Sequence, residues 1–517
     1  MTTTALITIP ILILFFAVMI SVGLYCRKHS ASVDGFILGG RAVGPWLTAF
    51  AFGTSYFSAV IFVGYAGQFG WNFGLASTWI GLGNAFIGSL LAWIVLGKRT
   101  RIMTQALGSK TMPDFFEKRF DSGKLKIFAS IIIFVFLIPY TASLYNGLSS
   151  LFNNVFSIPY WAVVLIMAVL TGIYVIFGGY MATAINDFIQ GIIMLVGIVA
   201  VILAVLNDNG GLIQAVKSLG ESAGKEFVST FGPNPVFLFF VVILTSLGTW
   251  GLPQMVGKFY SIKDQSAVKK GTIISTIFAI IVAGGCYFLG GFGKLYQNEM
   301  INGGYITDNG VMYDKVVPTM LSDLAPMIVA IVIVLVLSAS MSTLSSLVLT
   351  SSSTLTLDVI KPIIAKKKDF SDKKSVFIMR LFIVFFIAVS AVIAIFKDTL
   401  WKDSVFIAQM MGVSWGALAG AFLAPFLYGL FWKKGTRAAV AVCFIFGTGL
   451  EIVQLCLSVG LFKFTDKILS FVFTNSLYSG VFAMVGGLIL FPIVSLLTQK
   501  TKPQNCDEKF NCLKEKI

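Results

Sequence analysis

Residues 49–59 of this 517-residue chain read AFAFGTSYFSA, which places a glycine and several small hydroxyl side chains inside a long apolar run. Glycine weakens a helix, and serine and threonine compete with the helix for backbone hydrogen bonds. A break in a membrane helix exposes backbone groups that lipid cannot satisfy, so it persists only where those groups line a cavity or bind something. The stretch therefore predicts an interrupted membrane helix.

A second interrupted stretch occurs at residues 245–253, which read TSLGTWGLP. Its proline removes a hydrogen-bond donor and clashes with the preceding turn. Each stretch alone is also compatible with an ordinary kink or with close packing of small residues. The two predicted helices are five spans apart and so cross the membrane in opposite directions. As a pair they predict two inverted repeats, with an ion and solute site between the breaks.

The composition indicates an α-helical membrane protein. Hydrophobic residues form 57% of the chain and charged residues only 12%, with a mean hydropathy of +0.89. The apolar runs are about 20 residues long, as membrane helices require, and they lack the alternation of membrane β-strands. We predict thirteen spans, at residues 5–26, 45–67, 74–97, 127–153, 158–177, 184–206, 235–257, 271–293, 324–352, 376–396, 404–431, 438–460 and 469–498.

The distribution of basic residues predicts the orientation. The first span follows a start without Lys or Arg, so we expect a retained helix rather than a signal peptide. Of the 38 Lys and Arg residues, 30 fall on the side that includes residues 27–44, counting Arg380 near the start of the predicted tenth span. The positive-inside rule places that side in the cytosol, with the N-terminus outside and the C-terminus inside. The net charge of +15 is thus a topology signal, and we expect no nucleic-acid partner.

The ninth span is rich in hydroxyl groups and suits a sodium ion. Residues 338–346 read SASMSTLSS. Sodium prefers oxygen ligands, and Ala339 precedes Ser342 and Thr343 by one helical turn, so its carbonyl can lie near both side chains. Ser345 and Ser346 repeat the pattern one turn further along. The alternative is that each hydroxyl simply bonds to its own helix.

Two of the 23 acidic residues fall inside predicted spans, Asp187 and Glu451. A carboxylate within the membrane is a candidate functional group. Asp187 is equally compatible with a residue that stabilises a helix start. We expect a structural or lipid-edge role for Glu451, which lies outside the proposed repeats.

Nothing in the chain indicates an enzyme. Clustered His, Asp, Glu or Cys residues would be expected near one face, and the single histidine, His29, lies in a basic loop. Cys506 and Cys512 lie in a tail predicted to be cytosolic, where reducing conditions disfavour a disulfide.

Three further motifs resemble the sodium:solute symporter family, in particular its bacterial proline, pantothenate and sialic acid transporters. They are LGGRAVGP at residues 38–45, YVIFGGYMA at residues 174–182 before Asp187, and MSTLS at residues 341–345. The resemblance covers nearly the whole chain. It implies an all-α, LeuT-like fold of two five-span inverted repeats with one leading and two trailing spans, thirteen in total.

This organisation divides the chain into five parts. They are residues 1–44 (leading span and cytosolic loop), 45–206 (first repeat, spans 2–6), 207–431 (second repeat, spans 7–11), 432–498 (trailing helices) and 499–517 (a short cytosolic tail).

The resemblance also implies sodium ligands. The site shared by the family matches backbone carbonyls and hydroxyls at Thr54, Phe57, Ala339, Ser342 and Thr343. A second site, found in some relatives of the sialic acid branch, matches Asp187, Ser345 and Ser346. The cofactor expected is therefore Na+, one ion or two.

The residues that match the solute site are aromatic or polar and carry no fixed positive charge. They are Tyr56, Ser58, Asn84, Tyr140, Ser246, Thr249 and Trp250. Proline transporters have an aspartate at the position of Tyr56, and the sialic acid branch has an arginine at that of Tyr140. These departures argue against both solutes and favour a neutral, zwitterionic or carboxylate-bearing one.

The function expected is secondary active transport: sodium-coupled symport of a small organic solute into the cell by alternating access. The protein is expected in the bacterial inner membrane and to work as a monomer. A proton-coupled carrier of the same fold is the first alternative, but it would need a titratable group near the core sodium position, and spans two and nine have none. A transporter-like membrane sensor is the second alternative.

Overall fold

The structure is a computed structural model, and it describes residues 3–156, 158–308, 310–322, 324–365, 371–396, 406–461 and 463–514. The first two residues of the predicted eleventh span, 404–405, and the end of the predicted tail, 515–517, lie outside these ranges. Within them the chain is built almost entirely of helices. The α-helices are Thr3–Tyr25, Val33–Leu38, Pro45–Tyr56, Ala66–Phe73, Thr78–Gly83, Lys98–Ala106, Met112–Phe120, Gly123–Phe156, Tyr160–Asp208, Leu212–Ser222, Pro235–Leu247, Pro253–Tyr260, Gln265–Ala279, Gly285–Gly290, Gln297–Asn302, Val316–Leu321, Pro326–Thr354, Lys361–Ala365, Asp372–Ile395, Phe406–Phe431, Arg437–Ser458, Lys467–Val472, Ser476–Leu497 and Cys506–Lys514.

Short helical segments of other geometry connect or extend these helices. The 3₁₀ segments are Cys26–Ser30, Gly39–Arg41, Gly74–Ser77, Lys225–Val228, Gly248–Gly251, Gly293–Tyr296, Tyr313–Lys315 and Gln499–Thr501, and the π-helical segments are Val60–Tyr65, Asn84–Leu91, Trp93–Gly97, Ile280–Gly284 and Leu355–Ile360. A small antiparallel hairpin pairs Ile306–Thr307 with Gly310–Val311.

Ten helices in the described ranges are long and apolar enough to cross a membrane, or eleven if one bent pair counts as a single span. The number is lower than thirteen partly because two stretches that each hold parts of two predicted spans count once. Tyr160–Asp208 covers the predicted fifth and sixth spans, and its two helices meet at a kink where Gly179 has non-helical backbone angles (φ 57°, ψ −149°). Similarly, Val60–Ala106 counts once, although Gly74 has non-helical backbone angles (φ 61°, ψ −139°) where the predicted third span begins. The count of thirteen and the repeat pattern remain predictions.

Both predicted interruptions are present. We call Pro45–Tyr56 with its continuation to Phe73 the first broken helix, and Pro235–Tyr260 the second. The first breaks at Phe57, which is extended (φ −101°, ψ 97°). The second passes through a 3₁₀ turn and an extended Leu252, and its two parts differ in direction by 46°.

The glycine in the first stretch serves packing rather than the break itself. Helical geometry continues through Gly53, and a Cβ atom there would lie 2.4 Å from the ring of Phe278. Close approach of neighbouring helices through small residues is usual in membranes. The kink and the close-packing interpretations therefore both apply to this stretch.

The hydroxyl-rich helix, Pro326–Thr354, lies at the centre of the bundle, and the side chains of its serine stretch are almost completely buried. Helix Tyr160–Asp208 packs along it, and the Tyr174 hydroxyl donates to the Met341 carbonyl at 3.0 Å. The first broken helix packs against both. A Cβ atom at Gly191 would lie 3.0 Å from Thr54, which shows how closely helix Tyr160–Asp208 approaches the break.

The trailing helices bury Glu451 away from the lipid edge. Its side chain is fully buried and accepts a hydrogen bond from Ser479 at 2.8 Å. A Cβ atom at Gly416 would lie 2.3 Å from the same carboxylate. Cys506 and Cys512 lie in the helix of the C-terminal tail, and their thiols donate to the Pro503 and Lys509 carbonyls at 3.4 and 3.3 Å.

A cluster of charges ties the segments between helices to the membrane core. Lys126 contacts Glu117 at 2.7 Å, Asp114 at 3.3 Å and Asp358 at 3.6 Å. Asp358 is buried at the π-helical end of the hydroxyl-rich helix and accepts a hydrogen bond from Thr111 at 2.6 Å. Sequence inspection placed Asp358 outside the ninth span, but the helix is longer than predicted.

Candidate functional site

The predicted sodium ligands begin at the end of the first half of the first broken helix. The last carbonyls of any helix lack partners within it. Here the extended Phe57 ends the helical ladder just after Tyr56 and leaves the carbonyls of the last turn available to neighbours. The Phe57 ring stacks on that of Tyr56, with centroids 4.3 Å apart.

Two hydroxyl groups of the hydroxyl-rich helix face this turn. The Ser342 hydroxyl lies 3.1 Å from the Thr54 carbonyl oxygen and 3.2 Å from that of Ala339. The Thr343 hydroxyl lies 3.2 Å from the first and 3.1 Å from the second. The structure thus brings together four of the five predicted ligands, and all four are buried.

This oxygen cluster has the chemistry of an alkali-cation site. The two hydroxyls can donate only two hydrogens, whereas the two carbonyls and two hydroxyls together have more lone pairs than that. Lone pairs therefore remain that could bind a cation. All the ligands are oxygens, which a hard cation prefers, and none of them carries a charge. A cation among them would bridge the first broken helix and the hydroxyl-rich helix.

The second predicted group of sodium ligands is more complicated, because a lysine reaches it. Asp187 is fully buried, and the Lys258 ammonium lies 3.6 Å from its Oδ2 atom. The same ammonium donates to the Ser346 hydroxyl at 2.9 Å. Ser346 also lies 2.7 Å from the Ser55 hydroxyl, and Ser345 donates to the Ser342 carbonyl at 2.9 Å. We call Asp187, Lys258, Ser346 and Ser55 the lysine cluster.

Lys258 is held in place by the second half of the second broken helix. Proline at the first position starts Pro253–Tyr260, as its fixed φ favours. Immediately after this helix, the Ser261 hydroxyl lies 2.7 Å from that of Tyr180. The Val43 amide donates to the Ser261 carbonyl at 3.2 Å. These contacts fix the end of the helix, so its lysine points into the bundle.

Most of the predicted solute-site residues join helices to one another. Tyr56 donates to the Thr245 carbonyl, which links the two broken helices. Ser246 donates to Asn84 at 3.1 Å. Thr249 and Trp250 are also bonded: the Thr249 hydroxyl donates to the Ser246 carbonyl of the same broken helix at 2.8 Å, and the Trp250 indole donates to the Ile87 carbonyl at 3.0 Å.

Two predicted solute-site residues, Ser58 and Tyr140, instead have hydroxyls without a hydrogen-bond partner in the described part of the chain. The Trp415 indole nitrogen beside them shares this property. The Tyr140 and Trp415 rings meet edge to face, with centroids 6.1 Å apart, and the Tyr56 ring lies 6.1 Å from that of Trp415. These buried groups form a set of unused donors next to the first break.

Sequence reasoning missed Lys258 and Trp415. The predicted seventh span ended at residue 257, one position before Lys258, which was therefore counted among the cytosolic basic residues. Proline at position 253 followed by a helical pattern was a usable signal that the helix continues. Trp415 carried no signal, because one tryptophan in an apolar helix resembles many others.

Comparisons with known proteins agree with this architecture. The family model for the sodium:solute symporter family matches residues 36–447. The osmoregulated proline transporter of Bacillus subtilis is 28% identical over 501 residues, covering 94% of each chain. Sodium/proline symporter 2 of Staphylococcus saprophyticus is 28% identical and covers 87% of this chain and 86% of its own length.

Solved structures show the same fold. A Na+-coupled sialic acid symporter, in a substrate-bound outward-open state, superposes with a TM-score of 0.77 at 17% identity, covering 95% of this chain and 97% of the symporter. A nucleobase-cation-symport-1 family transporter has a TM-score of 0.50 at 14% identity, covering 93% of this chain and 99% of its own.

The chain belongs to the sodium:solute symporter family. It is an integral membrane transporter, not an enzyme, and it couples solute movement to Na+. Within the described ranges the acidic, cysteine and histidine residues form no group of three that could hold a metal ion.

Proposed function

We propose that this symporter imports a small neutral, zwitterionic or carboxylate-bearing solute by alternating access. The observation that supports this most directly is the approach of Ser342 and Thr343 to the Thr54 carbonyl, at 3.1 and 3.2 Å. Sodium bound by these oxygens, Ala339 and Phe57 would fix the broken helix against the hydroxyl-rich helix. The solute site next to the break would then be ordered only when sodium is bound.

This arrangement gives reciprocal coupling. If sodium orders the solute site, each ligand raises the affinity for the other by the same factor. An inward-negative potential adds about 2.3 kcal/mol per coupled charge per 100 mV. The low sodium concentration of the cytosol favours release on that side, so transport proceeds inward. Two inverted repeats, residues 45–206 and 207–431, would rock around the fixed site as a single monomeric unit.

The unused donors support the solute class. Ser58, Tyr140 and Trp415 offer two hydroxyls and an indole N–H, which suit carbonyl or carboxylate oxygens. The second half of the first broken helix starts at Ala59, and a helix N-terminus favours negative charge. None of these groups carries a fixed positive charge, so a compact carboxylate would be held by neutral donors and the helix end.

The experiment is sodium-dependent ligand screening followed by uptake. Purified protein is heated with members of a compound library in sodium or in potassium buffer. A true solute raises the unfolding temperature more in sodium. That compound is then tested as a radiolabelled substrate in proteoliposomes with an inward sodium gradient. Uptake that is equal with sodium and potassium gradients would refute the proposal, as would uptake unaffected by Ser342→Ala.

A further inference from the structure

We propose that Lys258 is a tethered cation that takes the place of a second coupling sodium beside Asp187, so that each transport cycle uses one sodium ion. The inference rests on the proposed function for the identity of the remaining site. In the lysine cluster, the oxygens that resemble a sodium site already contact a positive charge, and that charge belongs to the chain itself.

The contacts of the Lys258 ammonium are those expected of a cation ligated by oxygen. It lies 2.9 Å from the Ser346 hydroxyl and 3.6 Å from an Asp187 carboxylate oxygen. On another side it faces the Tyr180 ring, 5.4 Å from the centroid, an arrangement that stabilises cations. Two of these partners, Asp187 and Ser346, are residues that the family resemblance matches to a second sodium site.

Burial makes the charge balance decisive. Lys258 is 3% exposed and Asp187 is completely buried. An isolated buried carboxylate is strongly unfavourable, and a nearby cation offsets that cost. Lys258 is the one basic side chain that pairs with Asp187 among the described residues. The pair is neutral as a whole, so an added sodium would put a second positive charge where one negative charge is available.

The pair is an ion pair rather than a saturated hydrogen-bond network. Neither Asp187 oxygen makes a hydrogen bond to any residue that the structure describes. The carboxylate therefore keeps lone pairs with which it could bind a small cation. If the ammonium were removed, the same oxygens with Ser345 and Ser346 would form an acidic site suited to sodium.

The position of the cluster connects it to the first sodium site. Ser346 is one helical turn from Ser342 and Thr343, and it meets Ser55, the neighbour of Thr54, at 2.7 Å. Lys258 belongs to the second broken helix. The lysine thus links three elements that sodium would otherwise hold together: the second broken helix, the hydroxyl-rich helix and helix Tyr160–Asp208.

The test is the equilibrium binding of radioactive ²²Na+ to the purified full-length chain without solute. We expect one ion per chain for the wild type. Lys258→Gln keeps a polar side chain but removes the charge, and we expect it to bind two. Asp187→Asn should still bind one, because Asp187 does not hold sodium in the wild type. Lys294→Gln, a lysine packed on the Phe227 ring elsewhere, is the matched control and should bind one.

Each departure from these numbers has a defined meaning. Two ions bound by the wild type overturn the proposal without any variant. One ion bound by correctly folded Lys258→Gln, or none by Asp187→Asn, also overturns it. If Lys258→Gln does not elute as a monodisperse protein, Lys258→Ala and the wild-type number decide.

The Ser342→Ala variant separates this inference from the proposed function. It should lose the single wild-type ion, and the double variant with Lys258→Gln should regain one. If Ser342→Ala alone keeps its ion, the proposed first site is wrong. A gain of one ion on changing Lys258 would still support the tethered cation in that case.

Discussion

The Thr343 hydroxyl lies 3.2 Å from the Thr54 carbonyl oxygen, 289 positions away along the chain. One partner is a side chain on an unbroken helix, and the other is a backbone oxygen at the end of a broken one. The hydrogen bond gives the Thr343 hydroxyl an acceptor and the Thr54 carbonyl a donor, and either group without a partner would be costly inside a membrane. The relationship joins what would be one half of the transporter to the other, at the point where sodium is proposed to bind.

Thr343→Val should weaken sodium binding roughly tenfold or more. Valine keeps the shape but removes one ligand oxygen, and an interaction with a charged group contributes about 1.5–3 kcal/mol. The sodium concentration that gives half of the thermal stabilisation of purified protein measures the effect. Thr448→Val is the matched control, because that hydroxyl donates to the Phe444 carbonyl of its own helix. Equal sodium affinity in both variants would contradict the proposed site.

Tyr140→Phe should weaken solute binding but leave the binding of sodium alone nearly unchanged. The substitution removes an unused buried hydroxyl while the ring keeps its packing on Trp415. Loss of one hydrogen bond to an ionised ligand lowers affinity by roughly ten- to a hundredfold. Calorimetry with the solute found by screening measures it. Tyr428→Phe is the control, since that hydroxyl bonds to Leu488 in the trailing helices. A solute affinity equal to that of the control would exclude Tyr140 from the site.

Lys126→Met should destabilise the protein by about 3 kcal/mol. The change leaves Asp358, which is 1% exposed, without its cation, and breaking a buried pair is strongly unfavourable. Denaturant unfolding followed by tryptophan fluorescence measures the difference.

Lys217→Gln is the control for Lys126→Met, because it removes the cation of an exposed ion pair elsewhere in the chain. Lys217 pairs with Glu221 at 3.9 Å, and both side chains are about two-thirds exposed, so the expected change is under about 1 kcal/mol. Similar losses in the two variants would show that the Lys126 pairs are as weak as surface pairs.

Gly70→Ala should prevent normal folding or lower stability by about 3 kcal/mol, the upper range for overpacking. A Cβ atom at Gly70 would lie 2.0 Å from the backbone of Gly290, which cannot move aside as a side chain can. The monodisperse fraction in size-exclusion chromatography and the unfolding temperature measure the effect. Gly449→Ala is the control, because a Cβ atom there meets nothing within 4 Å. Normal behaviour of Gly70→Ala would show that the two helices do not approach so closely.

The C-terminus should face the cytosol, as the distribution of Lys and Arg predicts. Green fluorescent protein fused after residue 517 should fluoresce, and alkaline phosphatase fused at the same point should be inactive. A fusion after residue 44 should give the same two results. Active phosphatase at either position would reverse the predicted orientation.

Several parts of the site followed from the sequence because they depend on local chemistry. A proline and glycines weaken a helix wherever they lie, so the break at Leu252 was predictable. Ala339, Ser342 and Thr343 share one face because of helical periodicity alone. That they face Thr54 came from the family resemblance, and the structure brings these four residues together. The hydrophobic runs likewise gave an all-helical membrane protein.

The span boundaries and long-range partners were less accessible. Apolar runs on either side of Gly179 predict two spans, and the backbone does leave helical geometry at Gly179, but the two helices meet there without an intervening loop. Asp358 lay beyond the predicted end of its span, and Lys258 lay one residue beyond another. Apolar length places a helix end only to within several residues, because polar side chains that find buried partners can extend the helix.

Local sequence was enough to predict a helical membrane protein with two weakened helices and a hydroxyl-rich one, because composition and helix propensity act over a few residues, and motif resemblance added the transporter class. The contact of the Lys258 ammonium with Asp187 and Ser346 required the folded chain. Ion pairing inside a membrane depends on which side chains converge at one depth, and residues 71 positions apart in the chain carry no local sign of that convergence.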